Sequence, residues 1–588
     1  MSKKTSRIPG CILGILYGLT IVFGYQARNF GEIRVKSPLT YLSILLWSGV
    51  AAGFFLLTWE GLQRHIGGKK PNERPDENPS REAVFEDTKK KRRFPDPVWP
   101  VSSALIFLFY FINLLGVYPG FFVYDAGYEL DEVLKRRFDN QHPLFHVLSM
   151  GGVIQGVHKI TGDYNLSIAA FILFQAAVSA LIYGWMIREF TREIIPPAAG
   201  WKKDTGPDRG GASKQGDPLK THGKGILFIA VWVLYLGLFP VIVMYALCSA
   251  KDGLFTGFML MTILYIRRYL KDRRDFEGKK SPSFWLLVSF AVLMMLYRNN
   301  GVYAFLIFGV LAVFILYFRG IDERKPAIAF VLSVLIFGAV SRILTLGTRA
   351  GDVGHREILT VPIQQMARIA AYDPESLSAE EKSAVLKYIP EEGIRHYTPK
   401  CSDEVKIEFD EGAYEQDKAG FYRLYLKLGL KHPSAYLTAW VMTSYGMWDP
   451  NAVIDGYGGR SVYTFTYGES SYFGYETEPP GERKPFIPFI DRFFRWISLD
   501  PWIQRAPVIR LLFAPGFLLW VYLYFFGFLV FSGKRERALP YILPLCVVFT
   551  CLFGPMSLVR YVYYLWILVP MLVYDSLRTD DAPAGKRS

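Results

Sequence analysis

The chain has 588 residues, 51% hydrophobic and 16% aromatic, with 67 Lys and Arg against 53 Asp and Glu and a formal net charge of +14. Repeated apolar runs of about 20 residues match the hydrocarbon thickness of a bilayer and exclude an ordinary soluble domain. In such a chain a basic excess points to cytoplasmic loops, not to nucleic acid.

The five cysteines (Cys11, Cys248, Cys401, Cys546 and Cys551) are scattered and form neither a disulfide framework nor a zinc spacing. Lys3, Lys4 and Arg7 precede the first apolar run, with no small-residue cleavage site, so that run reads as a retained helix. Apolar patterning predicts helices near 10–26, 40–59, 98–116, 165–188, 224–247, 254–269, 283–297, 301–318, 326–346, 508–531, 538–555 and 558–576, about twelve spans. Two linkers, 66–97 and 195–223, are disordered by composition.

The basic residues test this topology. Lys89 to Arg93, Arg192, Lys202, Lys203, Arg267, Arg268, Lys271, Arg273, Arg274, Arg319, Lys325, Lys534, Arg535 and Arg537 all fall on one side if both termini are cytoplasmic. That parity requires residues 143–160 to lie along the outer interface. The alternative is a short true span that turns at Thr161 to Asp163. The fold class is therefore an all-α polytopic membrane protein of the plasma membrane with an extracytoplasmic, mainly α domain. Its parts are residues 1–97 (a two-helix extension and cytoplasmic linker), 98–346 (a transmembrane module with a first outer loop, 117–164), 347–507 (the outer domain) and 508–588 (the last spans and a cytoplasmic tail).

Within 347–507, acidic residues outnumber basic ones. Ser378 with Glu381 reads as a capping box, and residues 422–430 and 433–447 have helical apolar spacing. Residues 456–480 are dense in Tyr, Gly, Ser and Thr and read as loops or short strands.

Four polar clusters fall at membrane edges on the predicted outer side. The first is Tyr118-Pro-Gly-Phe-Phe-Val-Tyr-Asp125 with Asn140-Gln-His-Pro-Leu-Phe-His146; Lys251-Asp252, Arg298-Asn299-Asn300-Gly301 and Arg560-Tyr561 follow. Asp125 sits in a frame of Tyr118, Phe121, Phe122 and Tyr124. Aromatic walls at headgroup level raise the basicity of a carboxylate, although an Asp here also suits capping of a helix starting near Gly127. His142 and His146 are four apart and could share a metal, but no firm third ligand follows from the sequence, although Asp125 is available. Arg298 combines a planar phosphate-binding fork with two amides, and Gly301 permits an unusual backbone there. Lys251 and Asp252 also suit plain anchoring at a membrane edge.

One acid with several cations on one membrane face suits sugar transfer from a polyprenyl phosphate. The phosphate leaves as a stable anion, so one base and one or two cations suffice. Asp125 is the candidate base. Arg298, Lys251 and Arg560 are the candidate cations for the donor phosphate. Tyr124, Asn140, His142, His146, Asp252, Asn299 and Asn300 are candidate substrate contacts.

These motifs resemble the GT-C superfamily of membrane glycosyltransferases, and within it an uncharacterised multi-pass family of Gram-positive bacteria. The resemblance is carried by Tyr118 to Asp125, Asn140 to His146, Lys251-Asp252 and Arg298 to Gly301. It also covers Gln364-Gln365 to Arg368 and His432-Pro433 to Trp448, and runs from about residue 98 to 576. It implies a polyprenyl-phosphate sugar donor and an envelope glycan, lipid or protein acceptor outside the cytoplasm. It also implies Asp125 as base or acceptor-positioning residue, and a cation on the donor phosphate. Many members place two neighbouring acids in this loop; here Glu129, Asp131 and Glu132 come only a turn after Asp125. No metal ligands are assigned and no cofactor is required, a divalent cation being the one candidate. The rival class is a transporter or flippase of lipid-linked sugars, which predicts charges near the bilayer midplane and broken helices.

Overall fold

The computed structural model describes residues 6–67, 97–194, 218–277, 281–454, 463–464, 466–471 and 474–578. Lys89 to Arg93, Lys202 and Lys203 lie outside these residues, as do most of both predicted linkers. The described chain is helical, with isolated bridges and no strand, so the described part of 456–480 is loop.

Among the described residues, six helices are long and apolar enough to cross a membrane. They are α1 (Ile8–Phe30), α2 (Pro38–Gly67), α3 (Val98–Gly116), α6 (Tyr164–Ile194), α11 (Asn299–Phe318) and α12 (Arg324–Thr348). Between α3 and α6 lie α4 (Ala126–Lys135) and α5 (Leu144–Thr161). A seventh candidate span is bent by 62° where α7 (Pro218–Leu238) meets α8 (Pro240–Ala246). Pro240 supplies no amide proton for the preceding turn, which breaks the helix. The remaining bundle helices are α9 (Asp252–Lys271) and α10 (Pro282–Tyr297). The predicted twelve spans are thus a coarser fact: six or seven helices meet the length and composition of a span, and shorter apolar helices accompany them.

The bundle has two distinguishable ends. At one end α3 finishes, α9 begins and α10 gives way to α11. At the other, Arg267 of α9 binds Asp575 (2.8 Å) and approaches Glu193 of α6 (3.5 Å), while Arg578 also reaches Glu193 (2.5 Å).

Helix α5 starts at the first end. It also finishes there, because α6 begins three residues later and its Asn165 donates to the Glu482 carbonyl (2.9 Å). Lys484 in that same loop binds the Tyr118 carbonyl (2.9 Å). Helix α5 therefore does not run to the far end of the bundle.

The segment between α12 and residue 449 folds on its own apolar cluster, including Ile363, Met366, Phe421 and Leu428. Its helices are α13 (Thr360–Tyr372), α14 (Ala379–Tyr388), α15 (Glu411–Gln416), α16 (Lys418–Lys431) and α17 (Pro433–Trp448), with shorter turns between. The capping box forms as predicted: the Ser378 hydroxyl accepts from Glu381 N, and Ser378 N donates to the Glu381 carboxylate (3.2 and 3.0 Å). Gln364 and Gln365 donate to the carbonyls of Thr398 and Tyr436 (2.7 and 3.0 Å), so they serve this fold internally.

The N-terminal hairpin is fastened to this segment. Arg28 pairs with buried Asp449, Ile33 N donates to the Thr438 hydroxyl (2.9 Å), and Arg368 donates to the Gly31 carbonyl (3.0 Å). The chain closes with α18 (Pro488–Leu499), α19 (Pro515–Phe531), α20 (Ile542–Cys551) and α21 (Leu565–Leu577).

Candidate functional site

Asp125 is positioned by a loop threaded into the bundle. Phe121, Phe122 and Val123 are buried, and Phe121 exchanges backbone hydrogen bonds with Leu247 and Ser249 (both 2.9 Å). The Ser249 hydroxyl accepts from Val123 N (3.1 Å). Tyr124 and Asp125 then take φ of 58° and 71°, the left-handed region that costs a side-chain-bearing residue energy.

Glu478, from the loop before α18, offsets that cost. Its carboxylate accepts from Gly127 N (2.7 Å) and Asp125 N (3.3 Å), capping the orphan amides of α4. Asp125 occupies the N-cap position but makes no side-chain cap bond. Its carboxylate is 45% exposed and faces the Arg560 guanidinium at 4.0 Å.

Arg560 lies just before α21, on a short helical turn. Its guanidinium covers the Tyr124 ring (4.5 Å), and its Nε is 3.2 Å from Asp252. Asp252, fully buried, also holds Arg298. Arg298 in turn lies over Tyr561 (5.0 Å) and Phe255 (5.5 Å). Asp125, Arg560, Asp252 and Arg298 thus form one alternating chain of charges, exposed at the Asp125 end. Gly301 is helical, not specially bent; a Cβ there would come within 2.8 Å of Phe255. It is required for close approach, and the expected unusual backbone is absent.

A second charged group sits beside the first. Glu129, one turn beyond Asp125 on α4, is buried at its centre. Its oxygens lie 3.3 Å from Lys251 Nζ, 3.4 Å from His142 Nδ1 and 3.1 Å from His146 Nε2. Burial pushes the Glu129 pKa up, but Lys251, His146 and His142 outweigh it and hold the carboxyl well below the usual range. Burial and then the Lys251 charge lower the His142 pKa against the opposing pull of Glu129. Lys251 Nζ is 2.8 Å from His142 Nδ1, so ammonium, imidazole and the Glu129 carboxylate meet as a triangle.

The predicted residues divide accordingly. Tyr124, Asp125, Asp252, Arg298 and Arg560 meet in the first group, and Lys251, His142 and His146 in the adjacent one. Asn140 turns away: it binds Asp352 (3.1 Å) and accepts from Val353 N (3.1 Å). Asn299 donates to the Gln141 carbonyl (3.3 Å), and Asn300 faces Cys551 Sγ (3.8 Å). Asn140 and Asn299 fasten loops, and Asn300 links α11 to α20.

Sequence reasoning gave no role to Glu129, Glu478 or Tyr561. A buried Lys251 demands a carboxylate partner, and Glu129 was the nearest acid a turn from Asp125. Glu478 lies in a Tyr- and Gly-rich loop that carries no comparable signal. Burial first, and then the Asp125 charge against two backbone hydrogen bonds, brings the Glu478 pKa up to about 7.

A helical bundle with six candidate spans and a charged site at one end defines the class as a multi-pass membrane protein. Residues 134–587 match a family described as being of unknown function, DUF6020, and the chain belongs to that family. No curated protein and no solved structure matches it. His142, His146, Lys251, Arg298 and Arg560 lie within the matched residues; Asp125 and Glu129 precede them.

Proposed function

We propose that the protein is a membrane glycosyltransferase of GT-C type, moving a sugar from a polyprenyl-phosphate donor to an envelope acceptor on the extracytoplasmic face. The observation that carries this reading is the half-exposed Asp125 carboxylate beside the buried Arg560 guanidinium. In the reaction the acceptor oxygen bonds to the sugar's anomeric carbon while the bond from that carbon to the phosphate oxygen breaks. Asp125 takes the acceptor proton, which requires hydrogen-bond reach. The phosphate carries away the bonding electrons, and Arg560 meets the charge that builds on it. Arg298 and Lys251 are held by Asp252 and Glu129. They contribute by fixing the field behind Arg560.

The side assignment follows the positive-inside rule. Arg267, Lys534 and Arg537 cluster with Arg578 at the far end of the bundle, which supports reading that end as cytoplasmic and the site as extracytoplasmic. On this reading both termini are cytoplasmic and the membrane is the plasma membrane.

The test is transfer by the purified protein in lipid nanodiscs, with a panel of radiolabelled polyprenyl-phosphate sugars and an envelope extract as acceptor. Labelled product from wild type, and none from Asp125→Asn, supports the assignment. No transfer from any donor in the panel removes it. The bent pair α7–α8 favours transport as a second reading. In proteoliposomes that reading predicts movement of an intact lipid-linked sugar across the bilayer with no bond broken.

A further inference from the structure

Away from the charged site, residues 351–355 form a strap that joins the first outer loop to the outer domain. Asn140 N donates to the Gly351 carbonyl (3.1 Å), and Gly351 N to the Phe138 carbonyl (2.9 Å). The Asn140 side chain binds Asp352 and Val353 on the same strap. Two residues later, His355 reaches helix α15.

There His355 Nδ1 lies 3.0 Å from Glu411 Oε1 and 3.0 Å from Glu415 Oε1. One ring nitrogen carries at most one proton, and that proton bonds well to only one oxygen. Glu411 Oε1 already accepts from His355 N (2.6 Å). Its second oxygen, Oε2, is buried with no hydrogen-bond partner among the described residues. An imidazole and two carboxylates converging on one point are instead the donors of a divalent transition metal. With metal–ligand bonds of about 2.0–2.2 Å, donors around one ion lie roughly 3–3.5 Å apart; here the imidazole nitrogen is 3.0 Å from each carboxylate oxygen, and the three ligand atoms all lie within 4.8 Å of one another.

The backbone fits the same purpose. Gly354 has φ +82°, and a Cβ there would come within 2.5 Å of the Glu411 carboxyl carbon. The Tyr414 ring, 5.3 Å from the imidazole, fixes its plane. Lys418 Nζ, 2.8 Å from Glu415, is a competing cation.

We infer that His355, Glu411 and Glu415 bind a zinc-class divalent ion, which pins the strap from the first outer loop to α15. This site is separate from Asp125 and does not depend on the proposed transferase reading. The test is titration of chelator-stripped, full-length protein in detergent with Zn²⁺ alone, followed by calorimetry and by thermal unfolding. Wild type should bind one ion tightly and melt at a higher temperature with it. His355→Ala and Glu415→Gln, both at partly exposed side chains, should weaken binding at least tenfold and lose the thermal response. Lys418→Ala should tighten binding, because it removes the competing ammonium. Retention of no ion by wild type, or affinity unchanged in His355→Ala and Glu415→Gln (an adventitious ion only), overturns the inference.

Discussion

Arg560 stands between two carboxylates of different exposure: its Nε is 3.2 Å from Asp252, which is sealed in the protein, and its Nη1 is 4.0 Å from Asp125, which is open to solvent. The inner contact fixes the guanidinium, and because Asp252 also pairs with Arg298 it leaves net positive charge there. The outer contact is long enough to yield to a substrate anion. A buried charge needs a partner, and this one has a permanent partner and an exchangeable one.

Asp125→Asn should abolish transfer while leaving the fold intact. The Asp125 side chain makes no cap bond and is 45% exposed, so its amide isostere removes a base without emptying a core site. Loss of a general base costs about 10²–10⁴-fold in rate. Turnover by the purified variant, beside its melting temperature, is the measurement. Wild-type turnover from Asp125→Asn would remove the base assignment.

Arg560 and Arg298 should respond differently to substitution. Arg560→Lys keeps a positive charge but loses the paired donors of the planar fork. It should raise the donor KM several-fold with a smaller change in stability. Arg298→Ala leaves buried Asp252 with Arg560 alone. No charge is stranded, so the loss is that of a charge-assisted hydrogen bond, about 1.5–3 kcal/mol, and the main effect should be a lower unfolding midpoint. Equal stability of the two variants would contradict the alternating chain of charges.

The adjacent cluster predicts a non-additive pair. Glu129→Gln strands the Lys251 ammonium in a buried site, again at a cost of about 3–5 kcal/mol. Adding Lys251→Met removes the stranded charge, so the double variant should recover much of the loss. Unfolding of wild type, both single variants and the double variant completes the cycle. Strict additivity would mean that Glu129 and Lys251 do not act as a pair.

Much of this site could be read in the sequence, for a physical reason. Charged residues at the ends of apolar runs are few and costly, so Asp125, Lys251, Asp252, Arg298 and Arg560 stood out and fall in two touching groups. Identity at a helix end did not give direction, and Asn140, Asn299 and Asn300 turned to loop backbone or neighbouring side chains. Glu129 was hidden because a carboxylate on a short amphipathic helix resembles any solvated acid until Lys251 is placed beside it. Glu478 acts from 353 residues away in the chain, and loop-to-loop contacts of that kind have no periodicity to read. Helix existence followed from apolar period, including Lys418–Lys431 and Pro433–Trp448. Span number did not, since length and composition leave the shorter apolar helices open.

Glu478 makes a pH prediction of definite sign. Its carboxyl titrates at about 7 in the folded protein against an ordinary value of 4.5, because it is buried beside Asp125. A raised carboxyl pKa means that the folded state holds the proton more tightly. The contribution is therefore fully present below about pH 4.5 and is lost as pH rises through about 7. The shift from 4.5 to about 7 is worth up to ~3 kcal/mol. Glu132, buried near Asp139 and Glu129, is also brought up to about 7 and acts in the same window. His142 is depressed, so its contribution runs the other way and is lost as pH falls. The difference between wild type and Glu478→Gln isolates Glu478 from both. The amide cannot ionise, so the variant's melting temperature should fall less than that of wild type between pH 5.5 and 8.5. Parallel melting curves across that range would show that Glu478 does not change its proton count as the pH rises.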